Sequence, residues 1–177
     1  MADRIRKRTK YLTVSAMLSA LGVIFLALGA FIEVLDITTA VLASMLCIYA
    51  VIEMGGAYPW GIWVVTSILS LLLLPIKTPA LFYALFAGFY PILKEKLERL
   101  KRPLAFVLKL AVFHLSLGAI VLLLRLFFPE QLDWGGMQWL PIAMYVLCVA
   151  VFLLYDLALT RVITFYLIRL RQRFRIK

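Results

Sequence analysis

The sequence has little of the chemistry that enzymes and metalloproteins use. One histidine, His114, and two cysteines, Cys47 and Cys148, occur among 177 residues. A single histidine excludes the two-histidine zinc motif of metalloproteases and any multi-histidine metal cluster. Two cysteines within apolar stretches provide no disulfide framework. Glycine-rich phosphate loops and the G-x-S-x-G motif are missing as well. The sequence therefore predicts a protein that is not an enzyme and carries no metal or other cofactor.

Charged residues are also scarce. They make up 16% of the chain, whereas hydrophobic residues make up 65%; soluble domains average about 25% and about 45–50%. A water-soluble core of this size cannot bury so many apolar side chains, so we predict an integral membrane protein with the lipid bilayer as its solvent. The net charge of +10 would suit a nucleic acid. We expect no nucleic-acid partner, because no compact basic domain is present to bind one.

Six apolar stretches have roughly the length that a bilayer requires, which is about 20 residues. Charged residues or turn-forming glycines and prolines separate them. We therefore predict an all-α polytopic membrane protein, a bundle of six transmembrane helices that forms one domain over residues 1–177. The predicted spans cover about residues 11–32, 37–54, 59–75, 78–93, 104–128 and 139–168.

The basic residues indicate the orientation. Of 19 lysines and arginines, five lie in "RIRKRTK" near the N-terminus, five in "KEKLERLKR" after the fourth span and five in the C-terminal "RLRQRFRIK". Cytoplasmic loops are enriched in such residues, and six spans place all three clusters on one side. We therefore predict that both termini are cytoplasmic. The first apolar run, of about 20 residues, is too long for a signal peptide, so we expect it to be retained.

Two G-x-Y-P breaks interrupt the apolar sequence, "GGAYPWG" at 55–61 and "GFYP" at 88–91. Proline ends or bends a helix and glycine permits close approach. Both breaks fall on the predicted cytoplasmic side. One interpretation is two helix ends, each with a tyrosine at the membrane interface. The other is an uncharged surface for partner docking, with Gly56, Tyr58 and Pro59 as candidates.

Charged and aromatic side chains collect at the ends of the predicted outer loops. A small polar ligand needs a concave site with a few placed charges and aromatic walls. Here the indoles would stack on a ligand and the charges would hold an anion or a cation. The alternative is an ordinary aromatic belt with solvated loops. The candidate substrate-binding residues are Glu33, Asp36, Lys77, Arg125, Asp133, Trp134 and Trp139.

Ionisable residues inside a span are costly in lipid and are functional candidates by default. Five of them matter here, and we predict that they form an intramembrane polar network: Glu53, Lys109, His114, Asp156 and Arg161. A purely structural role is the alternative, with Lys109 paired to Glu53 or to Asp156. Asp156, Thr160 and Thr164 are spaced four apart, which predicts one polar stripe on a helix face.

The first span carries two pairs of small residues four apart, Ser15 with Ser19 and Ala16 with Ala20. Such pairs let helix backbones approach each other closely. The contact they predict is either internal or with a partner protein.

The Ala16-x-x-x-Ala20 motif in the first of six spans resembles the substrate-binding S components of energy-coupling factor transporters. "GGAYPWGIW" is similar to the Gly-Pro-x-Gly turn of that family, with Pro59 and Gly61 in the matching places. The resemblance implies uptake of a vitamin-like micronutrient across a bacterial plasma membrane. It also implies an outer pocket near the ends of spans one, four, five and six.

The resemblance further implies that Ala16 and Ala20 dock on a transmembrane coupling subunit, which works with two ATPases. The ligand's identity is not predicted. The alternative function is a non-catalytic structural membrane protein that assembles a complex through its small-residue helix faces.

Overall fold

The computed structural model describes residues 2–32, 35–127, 139–166 and 168, and the regular secondary structure in these ranges is entirely helical. This confirms the predicted all-α class. The elements are α1 (Ala2–Phe31), α2 (Asp36–Glu53), α3 (Tyr58–Leu73), α4 (Thr78–Phe82), a π-helical segment (Tyr83–Ala87), α5 (Tyr90–Leu97), α6 (Arg102–Phe127) and α7 (Trp139–Phe165).

Four of these helices are long and apolar enough to cross a membrane. They run over Ile5–Phe31, Asp36–Glu53, Arg102–Phe127 and Leu140–Phe165. They coincide with the first, second, fifth and sixth predicted spans. α3, at the third predicted span, has 16 residues, about 24 Å of helix, which is less than the bilayer's hydrocarbon thickness of about 30 Å.

The fourth predicted span, over residues 78–93, is interrupted rather than regular. α4 passes into the π-helical segment, a turn follows at Gly88 and Phe89, and α5 then continues to Leu97. Pro91 explains the interruption, because it has no N–H for the carbonyl four residues earlier and its ring collides with that carbonyl. The predicted helix break at "GFYP" is thus present, but helix resumes beyond it into the basic segment.

The chain divides into two compact units, Met1–Val112 and Phe113–Lys177, and the boundary falls within α6. In the first unit, side-chain contacts set the helix directions. Tyr11 meets Tyr58 edge to face and the Thr66 hydroxyl donates to the Ser19 carbonyl, so α1 and α3 run parallel. Ser15, in the first half of α1, lies beside Met54 at the C-terminal end of α2, with Oγ 3.9 Å from Sδ. The N-terminal half of α1 therefore packs beside the end of α2, and these two helices are antiparallel.

Small residues form the core of the first unit. Along α2, Ala40, Ala43, Cys47 and Ala50 are all buried and recur every three or four positions. They share one helix face, and α2 packs on α1 and on the segment from α4 to α5. Between helices in a membrane, close approach of small residues supplies van der Waals contact and thus much of the packing energy.

The "GGAYPWG" turn requires its two glycines. Gly55 and Gly56 both have φ of +61°, a left-handed conformation that other residues rarely adopt. The Gly55 N–H donates to the Ala50 carbonyl and closes the last turn of α2. Proline in the first turn of α3, Pro59, then starts the next helix at low cost.

The second unit is held by aromatic contacts between α6 and α7. The rings of Phe113 and Phe152 are stacked with centroids 4.5 Å apart. His114 and Tyr145 share a hydrogen bond of 2.6 Å between Nε2 and the phenol oxygen. These contacts join the middle of α6 to the first half of α7.

Candidate functional site

The interrupted helix is held in place by Trp63 of α3. The Trp63 indole donates to the Ala84 carbonyl at 3.1 Å, within the π-helical segment. A π-helix shifts backbone pairing from the fourth to the fifth residue, as the bond from the Gly88 N–H to the Tyr83 carbonyl does here. The indole therefore satisfies a carbonyl where the regular α-helical ladder is broken.

Gly88 makes this contact sterically possible. A Cβ at this position would lie 2.5 Å from Trp63 Cδ1 and 2.8 Å from Tyr83 Cζ, well inside van der Waals contact. Tyr83 is buried, and its hydroxyl lies 3.1 Å from the Cys47 sulfur on α2. The break is thus packed from two sides, by α3 and by α2. Discontinuous helices of this kind mark binding sites or moving parts in many membrane proteins.

Two buried hydroxyls lie further along α3. Ser67 and Ser70 are 6% and 0% exposed, and neither Oγ has a hydrogen-bond partner among the described residues. Buried polar groups in native structures are nearly always satisfied. Together with Trp63 they give α3 a polar face within the first unit, and hydropathy did not reveal it.

One end of the first unit combines aromatic rings and basic residues. Tyr11 meets Tyr58 edge to face, with ring centroids 5.4 Å apart. Lys96 of α5 lies over the Trp60 ring, with Nζ 5.5 Å from the centroid. The start of α3 is thus flanked by the basic first turns of α1 on one side and by the basic segment that begins in α5 on the other. The structure therefore brings the first two basic clusters to the same end of this unit.

A carboxylate links two lysines at the start of α6. Oε1 of Glu98 lies 3.4 Å from Nζ of Lys94 and 3.1 Å from Nζ of Lys109. Lys94 is fully buried, which is unusual for a charged side chain. On the same stretch, Glu95 pairs with the exposed Arg99. Sequence reasoning identified Lys109 but not Glu98, although the four-residue spacing from Lys94 to Glu98 was available as a signal.

The two small-residue pairs of α1 lie on different faces. Ser19 is buried and its carbonyl accepts from Thr66, and Ser15 is half-buried. Ala16 and Ala20 are exposed. The serine pair therefore makes an internal contact, and the alanine pair faces away from the rest of the unit.

The docking candidates of the "GGAYPWG" turn differ in accessibility. Gly56 is exposed, Tyr58 is half-buried against Tyr11, and Pro59 is buried. Within the described part of the chain, the two G-x-Y-P tyrosines also differ, because Tyr90 is fully buried. A partner at this turn would meet Gly56 and the edge of Tyr58.

The predicted substrate-binding residues are divided between the two units. In the first, Asp36 begins α2, and Lys77 precedes α4 with its ammonium donating to the Leu74 carbonyl at 2.5 Å. In the second, Arg125 is exposed in the last turn of α6, and Trp139 is exposed as the first residue of α7. Three of the predicted residues lie outside the described ranges: Glu33, Asp133 and Trp134.

The predicted polar network is likewise spread over both units. Glu53 and Lys109 belong to the first unit, and His114, Asp156 and Arg161 to the second. Glu53 and Asp156 are half-buried and Arg161 is exposed. The contacts described above give Lys109 and His114 the partners Glu98 and Tyr145, neither of which was predicted.

The threonines of the predicted stripe bond to their own helix. Thr160 donates to the Asp156 carbonyl at 2.9 Å, and Thr164 donates to the Thr160 carbonyl at 2.8 Å. Such bonds satisfy a hydroxyl in lipid without a second helix.

Comparison with protein-family models, with curated proteins and with solved structures finds no match to this chain.

Proposed function

We propose that this chain is the membrane-embedded substrate-binding subunit of an uptake system and that it docks through α1 on a transmembrane coupling protein. The observation that carries the proposal is the outward position of Ala16 and Ala20. Exposed small residues four apart in a membrane helix provide a flat surface on which another helix can pack closely. In the resembled S components, the same motif docks on the coupling subunit.

A six-span topology with cytoplasmic termini is part of this proposal. α1, α2 and α3 alternate in direction. The Trp60–Lys96 and Trp63–Ala84 contacts show that the segment from α4 to α5 lies antiparallel to α3. That segment extends from Thr78 to Leu97, about 30 Å at helical rise. Four alternating segments bring the first two basic clusters to the same end, and the positive-inside rule assigns that end to the cytoplasm.

The ligand would bind at the opposite end of the bundle, where α2 and α4 begin. There Asp36 and Lys77 supply charges of both signs. The Lys77 ammonium now donates to a backbone carbonyl, so binding an anion would require this side chain to exchange that partner for the ligand. ATP hydrolysis would belong to partner ATPases.

Copurification tests the docking step. Ala16→Trp and Ala20→Trp should abolish recovery of a stoichiometric membrane partner with the tagged full-length chain, because an indole prevents close helix approach. Ala111→Trp is the matched control, since Ala111 is also an exposed alanine within a membrane helix. If all three variants retain the partner equally, α1 is not the docking surface.

A structural role is the second candidate, because the exposed alanine face of α1 would serve equally well in a complex that carries no ligand. Mass spectrometry of small molecules retained by gently extracted protein separates the two functions. A reproducible micronutrient-sized ligand supports the uptake subunit. A partner lost in Ala16→Trp, with no ligand retained by the unmodified chain, supports the scaffold.

A further inference from the structure

The basic and aromatic end of the first unit carries exposed cations to which neither candidate function assigns a ligand. Three cations between the last turn of α5 and the start of α6 are exposed, Lys96, Lys101 and Arg102. Among the described residues, the acidic groups of this segment are engaged elsewhere: Glu98 with Lys94 and Lys109, and Glu95 with Arg99. These three positive charges are therefore left over after the local ion pairs are made.

The first turns of α1 contribute a second set of cations. Arg6, Lys7 and Arg8 are exposed, with no ion pair to an acidic side chain in the part of the chain that the structure describes. These residues lie in the first turns of the Ile5–Phe31 helix, which continues without a break into its apolar part. Their depth relative to a bilayer is thus set by the span itself.

Aromatic side chains connect the two sets at one level. Tyr11 on α1 contacts Tyr58, the first residue of α3, and two residues later Trp60 lies beneath Lys96. Tyrosine and tryptophan prefer the headgroup level of a membrane, because their rings are apolar and their polar tips are solvated. Exposed cations on both sides of such a layer are positioned where lipid phosphates lie.

We propose that this end of the unit is a binding surface for anionic phospholipid headgroups, formed by Arg6, Lys7 and Arg8 on α1 and by Lys96, Lys101 and Arg102 between the last turn of α5 and the start of α6. The ligand is the phosphate of an acidic lipid such as phosphatidylglycerol, seated beside Trp60. A basic residue near a membrane surface strengthens attraction to acidic lipid about fivefold. The assignment does not depend on which substrate, if any, the chain carries.

The test uses the full-length chain in a neutral detergent, titrated with short-chain phosphatidylglycerol or phosphatidylcholine and followed by native mass spectrometry. The unmodified chain should bind phosphatidylglycerol preferentially. The triple variant Lys96→Gln/Lys101→Gln/Arg102→Gln and the triple variant Arg6→Gln/Lys7→Gln/Arg8→Gln should each reduce that preference at least about fivefold. The C-terminal basic cluster is present in every variant and contributes a common background.

Glu95→Gln/Arg99→Gln is the matched control, because it removes an ion pair from the same segment without changing the net charge. It should retain the preference of the unmodified chain. Circular dichroism and gel filtration establish that each variant is folded, and the preference of the unmodified chain should fall as ionic strength rises.

Three results would overturn the proposal. The first is equal binding of the two lipids by the unmodified chain. The second is a preference that both triple variants keep, or that the neutral control loses to the same extent. The third is displacement of phosphatidylglycerol by inorganic phosphate at comparable concentration, which would indicate a site for a free anion rather than for a lipid.

Discussion

The two units of the chain are packed in different ways. In the most apolar 18-residue windows of α1 and α2, 28% and 39% of the residues are buried, against 18% and 17% in α6 and α7. The first unit packs α2 through buried small residues, whereas α6 and α7 meet through the stacked rings of Phe113 and Phe152. Large apolar side chains are exposed in both units, such as Leu72 and Leu115. Lipid tails can cover such side chains, so a membrane helix needs little burial within the protein to be stable. Close packing therefore identifies the helices whose relative position is fixed by side-chain contacts.

Glycine substitution should reveal the largest difference between the units. At Gly88 of the first unit a Cβ would collide with Trp63 and Tyr83, whereas at Gly118 of the second it would meet nothing within 4 Å. We expect Gly88→Ala to lower the free energy of unfolding by about 2 kcal/mol through overpacking. Gly118→Ala should leave it unchanged or raise it by up to about 1 kcal/mol.

Reversible unfolding in mixed micelles measures both variants. Labelling of the fully buried Cys47 by a thiol-reactive fluorophore reports unfolding of the first unit, in a Cys148→Ala background. Equal effects of the two substitutions would mean that the contrast in packing has no energetic counterpart.

Some of this organisation was predictable from the sequence. Four long helices follow from apolar length alone, and the interruption near "GFYP" follows from Pro91. The faces of α1 do not follow, because Ser15 with Ser19 and Ala16 with Ala20 have the same spacing. Only packing against α2 and α3 decides which pair points inward.

The charge pairs were less predictable, for a different reason. Glu98 reaches Lys109 because α5 continues to Leu97 and the chain then reverses within a few residues. The basic segment was expected to be a cytoplasmic loop, and a loop does not determine which residue the Glu98 side chain contacts. The Trp63–Ala84 hydrogen bond is also tertiary, since its residues are 21 positions apart.

Loss of the Glu98 carboxylate should lower the free energy of unfolding by an intermediate amount. It compares an ion pair that has a buried partner with an exposed ion pair inside the first unit. Glu98→Gln removes a carboxylate shared by Lys109 and the fully buried Lys94. Breaking an ion pair with a buried partner is strongly destabilising, and the 41% exposure of Glu98 reduces the effect to about 1–2 kcal/mol. Glu95→Gln is the control, because Arg99 is 75% exposed; it should cost at most about 0.5 kcal/mol.

The same unfolding titration measures both glutamate variants. Burial of the lysine, rather than membership of the first unit, is the predicted cause of the difference. If Glu95→Gln is as destabilising as Glu98→Gln, the lysine's burial does not control the cost.

The smallest expected effect compares one polar pair from each unit. Cys47 and Tyr83 are buried in protein, whereas His114 and Tyr145 meet on a surface that lipid would cover. Double-mutant cycles isolate each pair from its other neighbours, using Cys47→Ala with Tyr83→Phe and His114→Ala with Tyr145→Phe, and loss of helical circular dichroism reports unfolding. Hydrogen bonds in membrane proteins average about 0.6 kcal/mol in such cycles.

We expect about 0.6 kcal/mol or less for the Cys47–Tyr83 pair, since a thiol is a weak hydrogen-bonding group. We expect about 1 kcal/mol for His114–Tyr145, provided that lipid excludes water from it as effectively as protein does. A coupling near zero for His114–Tyr145 would mean that water competes for both groups. The exposed face of the second unit would then border an aqueous space or a hydrated interface with a partner, and its low burial could no longer be attributed to contact with lipid.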